Sequence, residues 1–261
     1  MPAQMLIYES AAPVSFGRHG QWSVEVGSDY AFSKHVNSIP LMAVEFPNAA
    51  SEYSIVFAGP EEAVVPAVIL GMRNDENLYL TEQGGWRAKY VPAFVRRYPF
   101  VFSTSEDGKT FTLCIDETFS GFNQKGRGEP LFDADKKPSP YVARVLKFLE
   151  QYQIEFRRTQ AFCRKLAELK LLEPMRAQAS LGSGEKLSLG GFMAVNRDRV
   201  KALAADKLAE LAKTDELELL YLHLHSMRNF SDMGSRLAAS GSSGGADAKT
   251  KDKKDASKAR K

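Results

Sequence analysis

The sequence PFVFSTSEDGKTFTLCID, residues 99–116, decides the fold of this chain. Two runs rich in aromatic and β-branched residues flank Asp107-Gly108, a dipeptide that favours the tight turn of a β-hairpin. Pairing the two runs about this turn places Pro99 opposite Asp116. The sequence therefore predicts two antiparallel strands at this point of the chain.

The same pairing brings charged residues together at the open end of the hairpin. Arg96 and Arg97 precede the first run, and Glu117 follows Asp116 at the end of the second. We expect at least one arginine to lie within ion-pair distance of one of these acids. The four side chains either line a binding site or form a solvated network at a strand end, which would stabilise the fold little.

The rest of residues 1–118 also predicts short antiparallel strands. Its apolar or alternating runs are separated by turn signals, and no helical pattern lies between them. The predicted strands are Gln21–Val26, Leu41–Phe46, Tyr53–Phe57, Val64–Leu70, Leu78–Leu80, Phe100–Ser103 and Thr110–Ile115.

Residues 138–233 predict a mainly helical half. Ser139 is a good N-cap with Pro140 at the first helical position. Apolar residues then follow at helical spacing for about thirty residues. Two further helices are predicted, one capped by Asn196 or Asp198 and one beginning near Thr214.

A break in this helical half is predicted between the first helix and the later ones. Ala177–Gly184 is rich in small residues and predicts a link. A strand pair is expected next, with Lys186–Leu189 and Phe192–Val195 joined across Gly190-Gly191.

The formal net charge of +3 is concentrated at the C-terminus. Residues 234–261 carry eight lysines or arginines against three aspartates, a net of +5, so the rest of the chain has a net charge of −2. Leu237 is the only large apolar residue of this segment, which predicts a disordered tail whose deletion leaves the melting temperature nearly unchanged. The nearly neutral body disfavours nucleic acid as a partner, apart from nonspecific contacts of the tail.

These patterns together predict an α+β protein. An antiparallel β-rich N-terminal half, residues 1–118, packs with C-terminal helices of residues 138–233. The two halves form a single domain, residues 1–233, and a disordered basic tail follows at 234–261.

Metal and cofactor sites are not predicted. Cys114 and Cys163 are too few for a disulfide scaffold or a thiolate metal cage, and both are expected to be free. His223 and His225 are two residues apart, so on a helix they point in different directions and cannot share a metal. No stretch approaches the roughly 18 to 20 apolar residues of a membrane span. The N-terminus lacks the pattern of a secretory signal, so the expected location is the cytoplasm.

Cations and aromatic residues alternate between residues 86 and 100. Guanidinium groups beside Trp and Tyr suit the recognition of carboxylates, phosphates or π-faces. Alternatively, the aromatic side chains belong to the core and the arginines to the surface. The candidate ligand-binding residues are Trp86, Tyr90, Arg96, Arg97, Tyr98, Asp116, Glu117 and His223.

The motifs of residues 5–233, taken in order, resemble the SapC family of bacterial proteins. These motifs are Glu45-Phe46, Tyr53-Ser-Ile-Val-Phe57, Tyr90-Val-Pro-Ala, Arg96-Arg-Tyr-Pro-Phe100, Ile115-Asp-Glu117, Leu131-Phe132, Gly191-Phe192 and Tyr221-Leu-His-Leu-His-Ser226. Where the family commonly has Tyr-Ala-His-Leu, this chain has Tyr221-Leu-His-Leu. The peptide-uptake permease of the same name spans membranes and is a different protein.

The resemblance implies an accessory role, because the family name comes from an association with a bacterial surface layer. Members look like companions of outer-membrane uptake receptors and flavin-dependent halogenase-like proteins. We expect a soluble, non-enzymatic binding or accessory protein linked to envelope, surface-layer or nutrient-uptake functions. Its partner would be an unidentified small molecule or protein.

The alternative is an enzyme of unidentified reaction. A pocket in which its charged groups converge would favour this alternative. Its site would be formed by Asp116, Glu117, Arg96, Arg97 and His223.

Overall fold

The computed structural model describes residues 5–60, 63–105, 108–180 and 186–243. The described residues form antiparallel sheets with helices concentrated in the C-terminal half, which confirms the predicted α+β class. The strands are β1 (Ala11–Pro13), β2 (Ser23–Val24), β3 (Ser38–Pro40), β4 (Ile55–Ala58), β5 (Val65–Ile69), β6 (Phe100–Thr104), β7 (Phe111–Asp116), β8 (Phe122–Asn123), β9 (Glu129–Pro130), β10 (Leu172–Ser180) and β11 (Lys186–Val195). The helices are α1 (Phe16–His19), α2 (Phe46–Ala49), α3 (Ala93–Arg96), α4 (Pro140–Glu168), α5 (Arg197–Lys201), α6 (Ala205–Lys213), α7 (Glu216–Ser226) and α8 (Asn229–Ser243).

The largest sheet has the strand order β10-β11-β4-β5-β3. Its central strands are short apolar runs that are almost wholly buried, because helices cover them. Phe57 of β4 contacts Phe162 of α4 and His223 of α7, with ring centroids 6.4 Å and 5.0 Å apart. The β-rich and helical halves therefore share one core.

The second sheet, β1-β7-β6, contains the predicted hairpin. Phe100 pairs with Ile115, and the amide of Asp116 donates to the carbonyl of Pro99 at 2.9 Å, so the predicted register is confirmed. Gly108 has a φ of +71°, a conformation that glycine adopts without steric cost. Asp107, the other residue of the predicted turn, lies outside the described residues.

The long helix α4 begins as predicted. The Ser139 hydroxyl accepts a hydrogen bond from the amide of Val142 at 3.2 Å, and Pro140 is the first helical residue. The helix continues without a break for 29 residues. It packs against β5 and β6, and so lies beside both the five-stranded sheet and the β1-β7-β6 sheet.

Three local predictions are wrong. Leu78–Leu80 is a turn that ends in an isolated β-bridge between Leu80 and Trp86 rather than a strand. Leu41–Phe46 is a helical turn leading into α2 rather than a strand, because the Glu45 carboxylate caps the amide of Met42 at 2.8 Å and Pro47 occupies the first turn of α2. Residues 177–180 of the expected link belong to β10, residues 181–184 lie outside the described residues, and β11 continues through Gly190-Gly191. The register shifts opposite these glycines, and Gly191 has a φ of +82°, so the pair forms a β-bulge.

The predicted start of the tail at Gly234 is also wrong, because α8 continues to Ser243. Met233 and Leu237 lie one turn apart on this helix, and both are buried against the core, Leu237 with 3% exposure. The guanidinium of Arg236 lies 4.2 Å from the centroid of the Tyr79 ring. Residues 244–261 lie outside the described part of the chain, and with them most of the predicted tail.

Candidate functional site

The charged residues beside the hairpin do not form the predicted ion pairs. Arg96 ends α3 and Arg97 continues its helical backbone, so neither arginine lies on the strand that faces Asp116. Within the described residues, Asp116 and Glu117 have other partners. The ion-pair prediction is wrong because it assumed an extended chain before Pro99.

Asp116 stabilises the N-terminal segment. Its fully buried carboxylate accepts hydrogen bonds from the amides of Glu9 at 2.7 Å and Ser10 at 3.1 Å. The hydroxyl of Thr118 donates to the same group at 2.8 Å, and the hydroxyl of Tyr98 donates at 3.5 Å. The carboxylate is therefore used to connect the chain entering β1 to the end of β7.

Glu117 forms an ion pair with Arg18 and a hydrogen bond of 2.8 Å with His19. Nδ1 of His19 accepts from the amide of Ser15 at 3.2 Å, so the ring proton lies on Nε2, which donates to Glu117. The hydrogen bond from His19, together with Arg18, holds the pKa of Glu117 below its ordinary value. Both ring nitrogens of this buried histidine are engaged, which leaves neither as a base for an external substrate.

Trp86 and Tyr90 belong to a network of aromatic side chains. Nε1 of Trp86 donates to the hydroxyl of Tyr53 at 2.7 Å, and that hydroxyl donates to the carbonyl of Tyr90. The hydroxyl of Tyr90 donates to the carboxylate of Glu45 at 2.7 Å. Glu52 accepts from the amide of Tyr90 at 2.9 Å. These contacts hold the segment before α3 in place.

His223 lies in the shared core. Its Nε2 accepts from the amide of Val195 at 3.0 Å, and its ring packs against Phe57. Burial lowers the pKa of His223 from 6.5 to about 4, and the nearby backbone of Ile55 opposes this only in part. A neutral histidine at this position joins α7 to β11.

Three candidates do come together, in a cleft of about 250 Å³ beside the first turns of α4. We call it the arginine cleft. It is lined by Arg96, Arg97, Tyr98, Tyr141, Arg144 and Phe148, among other residues.

Arg97 forms the buried wall of the arginine cleft and is only 2% exposed. Its guanidinium carbon lies 4.4 Å from the ring centroid of Phe94, 4.9 Å from that of Tyr152 and 5.5 Å from that of Tyr8. These distances are those of cation–π contacts, which are strongest where water is excluded. Arg97 thus belongs to the core, whereas Arg96 is exposed.

The structure also contains a larger cavity of about 650 Å³, which we call the apolar cavity. It lies between the β1-β7-β6 sheet, strands β3 and β5, and the middle of α4. Its walls are mostly apolar. Ala11, Val101, Cys114, Tyr152 and Phe156 are among its lining residues.

Tyr152 and Cys114 are the buried lining residues that carry a polar side-chain atom. Tyr152 is 5% exposed, and its hydroxyl makes no hydrogen bond within the described residues. Burial raises the pKa of Tyr152 to about 12, so the hydroxyl stays protonated and can donate as well as accept. Burial also raises the pKa of the Cys114 thiol, which disfavours the nucleophilic thiolate.

Sequence reasoning missed the apolar cavity because its lining residues come from distant segments. Ala11 and Pro13 lie nearly 140 positions before Tyr152. Within its own segment, each lining residue has the sequence pattern of an ordinary core residue. One signal was present: Cys114 and the small residues of β1 leave room where larger side chains would fill the space between sheet and helix.

Both cysteines are free and buried, as predicted. In the described ranges no group of three His, Cys, Asp or Glu side chains is arranged to hold a metal ion. None of the helices in the described chain is long and apolar enough to cross a bilayer.

Comparison with known proteins identifies the family. No curated protein and no solved structure matches the chain. The family model described as SapC matches residues 14–233, which include both candidate sites apart from the first residues of the cavity wall. The chain therefore belongs to the SapC family.

Proposed function

We propose that this protein binds a small molecule with a large apolar body and one hydrogen-bonding group, and that the apolar cavity is the site. The observation that carries this proposal is the hydroxyl of Tyr152, which faces no partner of its own in the described chain while Tyr152 lines a cavity of about 650 Å³. A hydroxyl that lacks a partner among the described residues and belongs to a cavity-lining side chain is available to a ligand, and a hydrogen bond of this kind contributes about 0.5–1.5 kcal/mol.

The size of the cavity supports a ligand of moderate size. Sites for such molecules usually measure about 300–1,000 Å³ and combine apolar walls with few polar groups. Each Å² of apolar ligand surface buried there contributes about 25 cal/mol. Part of this gain offsets the lost freedom of the ligand, so we expect micromolar rather than nanomolar affinity.

Membership in the SapC family supports an accessory role linked to bacterial envelope, surface-layer or nutrient-uptake functions. Free, buried cysteines are compatible with a reducing compartment, which supports a cytoplasmic location. We propose no reaction, because Asp116, Glu117 and His223 do not line the cleft that contains Arg96 and Arg97. Asp116 and Glu117 hold the chain around the hairpin, and His223 lies in the core.

The test uses the full chain and the uncharged fluorescent probe N-phenyl-1-naphthylamine. We expect saturable binding with one site. Ala11→Phe narrows the exposed rim of the cavity and should weaken binding about tenfold, equivalent to roughly 1.4 kcal/mol. Ala143→Phe, on the exposed face of α4, is the matched control and should leave binding unchanged.

Tyr152→Phe tests the hydroxyl. The variant keeps the ring against Arg97 and should retain the fold, which far-UV circular dichroism checks. Ligands that are extracted with the native protein are first identified by mass spectrometry. We expect the Tyr152→Phe variant to bind them more weakly than the wild type does. Probe binding that does not saturate would contradict the proposal. So would an equal loss of probe binding in Ala11→Phe and Ala143→Phe.

A further inference from the structure

We propose that the arginine cleft is a second site, which binds an aromatic carboxylate. The anionic group would lie between Arg96 and Arg144, and the ring of the ligand would pack on Phe148. This inference is separate from the proposed function, because the cleft and the apolar cavity share no lining residue.

The first step is the charge of the cleft. Arg96 is exposed and makes no ion pair among the described residues. Its Nε donates to the carbonyl of Val91 at 2.9 Å, which fixes the side chain. Tyr90 also contacts the guanidinium, which has four N–H donors besides that of Nε. A guanidinium oriented in this way is suited to bind a carboxylate through parallel hydrogen bonds.

Arg144 supplies the second cation. Its nitrogen lies 3.6 Å from a carboxylate oxygen of Glu129, and both side chains are more than half exposed. Such exposed pairs contribute about 0–1 kcal/mol, so an incoming carboxylate can compete for Arg144. The acid in the adjoining hollow, Asp29, already accepts a hydrogen bond from the amide of Ala31.

The second step is the aromatic wall. Phe148 lies one turn after Arg144 on α4, and the guanidinium carbon of Arg96 is 5.5 Å from its ring centroid. Tyr98 and Tyr141 line the same cleft. Its volume of about 250 Å³ is below the range of drug-sized sites, which suits one ring with one anionic group.

The experiment follows 4-fluorobenzoate by ¹⁹F NMR with the full chain. We expect line broadening and a dissociation constant on the order of 1 mM, as befits a ligand with few atoms. The neutral analogue 4-fluorobenzamide should bind at least about fivefold more weakly, because it lacks the charge-assisted hydrogen bonds. Acetate, which lacks the ring, should displace the probe poorly.

Variants locate the site. Arg144→Gln and Arg96→Gln should each weaken binding about fivefold. Arg158→Gln is the matched control, since Arg158 lies on the same helix, is 72% exposed and also forms an ion pair with a glutamate. Thermal melting of each variant checks that the fold is retained.

Three results would overturn the proposal: no binding of 4-fluorobenzoate, equal binding of the amide, or equal weakening by Arg158→Gln. The Ala11→Phe variant should bind 4-fluorobenzoate normally. If it does, while losing the naphthylamine probe, the two sites are separate. A negative binding result at the arginine cleft would then leave the proposal for the apolar cavity unaffected, and the reverse also holds.

Discussion

The guanidinium carbon of Arg97 lies 4.9 Å from the ring centroid of Tyr152. Tyr152 lines the apolar cavity and Arg97 lines the arginine cleft, so this contact forms the wall between the two proposed sites. Aromatic rings attract a cation that lies over their faces, and this attraction is strongest where water is excluded. The relationship explains why a cationic residue is buried at this position.

The first prediction concerns Arg97→Lys. An ammonium group cannot stack as a plane on Phe94 and Tyr152, so we expect the variant to lose about 2 kcal/mol of stability. Urea unfolding followed by circular dichroism measures the loss. The control Arg158→Lys, at an exposed position of α4, should change stability by less than about 0.5 kcal/mol. A similar small effect at both positions would show that the contacts of Arg97 contribute little.

The second prediction concerns Asp116→Asn. An amide has one acceptor oxygen, and its NH₂ group would face a backbone amide of Glu9 or Ser10, which is also a donor. We expect a loss of about 2 kcal/mol, because a buried donor is left unpaired. Asp135→Asn, in an exposed loop, is the control and should be nearly neutral. Equal unfolding midpoints for wild type and Asp116→Asn would contradict this assignment.

Local sequence signals predicted the hairpin and the long helix because each depends on neighbouring residues. The register of Phe100 with Ile115 follows from a turn and two alternating runs, and the start of α4 follows from Ser139 and Pro140. The burial of the Arg97 side chain depends instead on its contact with Tyr152, which is distant in sequence. No local pattern distinguishes an arginine that stacks in a core from one that points to solvent.

The two glycines of β11 illustrate another limit. Gly190-Gly191 is a turn signal, but it is equally compatible with a bulge, and only pairing with β10 decides between them. The apolar cavity is harder to predict from the sequence than this bulge, because it is a space between several strands and a helix. Its walls could be placed only when the sheet and α4 were both in position.

The third prediction revises the expectation for the C-terminus. Leu237 is buried, so Leu237→Ala should cost about 2 kcal/mol, and deletion from Gly234 should lower the melting temperature by the corresponding amount. Leu6→Ala, at a residue that is 44% exposed, is the control. It should cost less than about 0.5 kcal/mol. An unchanged melting temperature for Leu237→Ala would instead support the expectation that the chain is disordered from residue 234.

The last prediction concerns acid stability and His223. Burial lowers the pKa of this histidine to about 4, against 6.5 for an exposed one. Between these values the unfolded chain binds a proton that the folded chain does not, so the free energy of unfolding should fall by up to about 3 kcal/mol as the pH is lowered through this window. His223→Gln can still accept from the amide of Val195 and should flatten this dependence, whereas the exposed control His225→Gln should retain it. Urea unfolding at half-unit steps from pH 4 to 7 measures the slopes, and equal slopes for the two variants would show that another group governs acid stability.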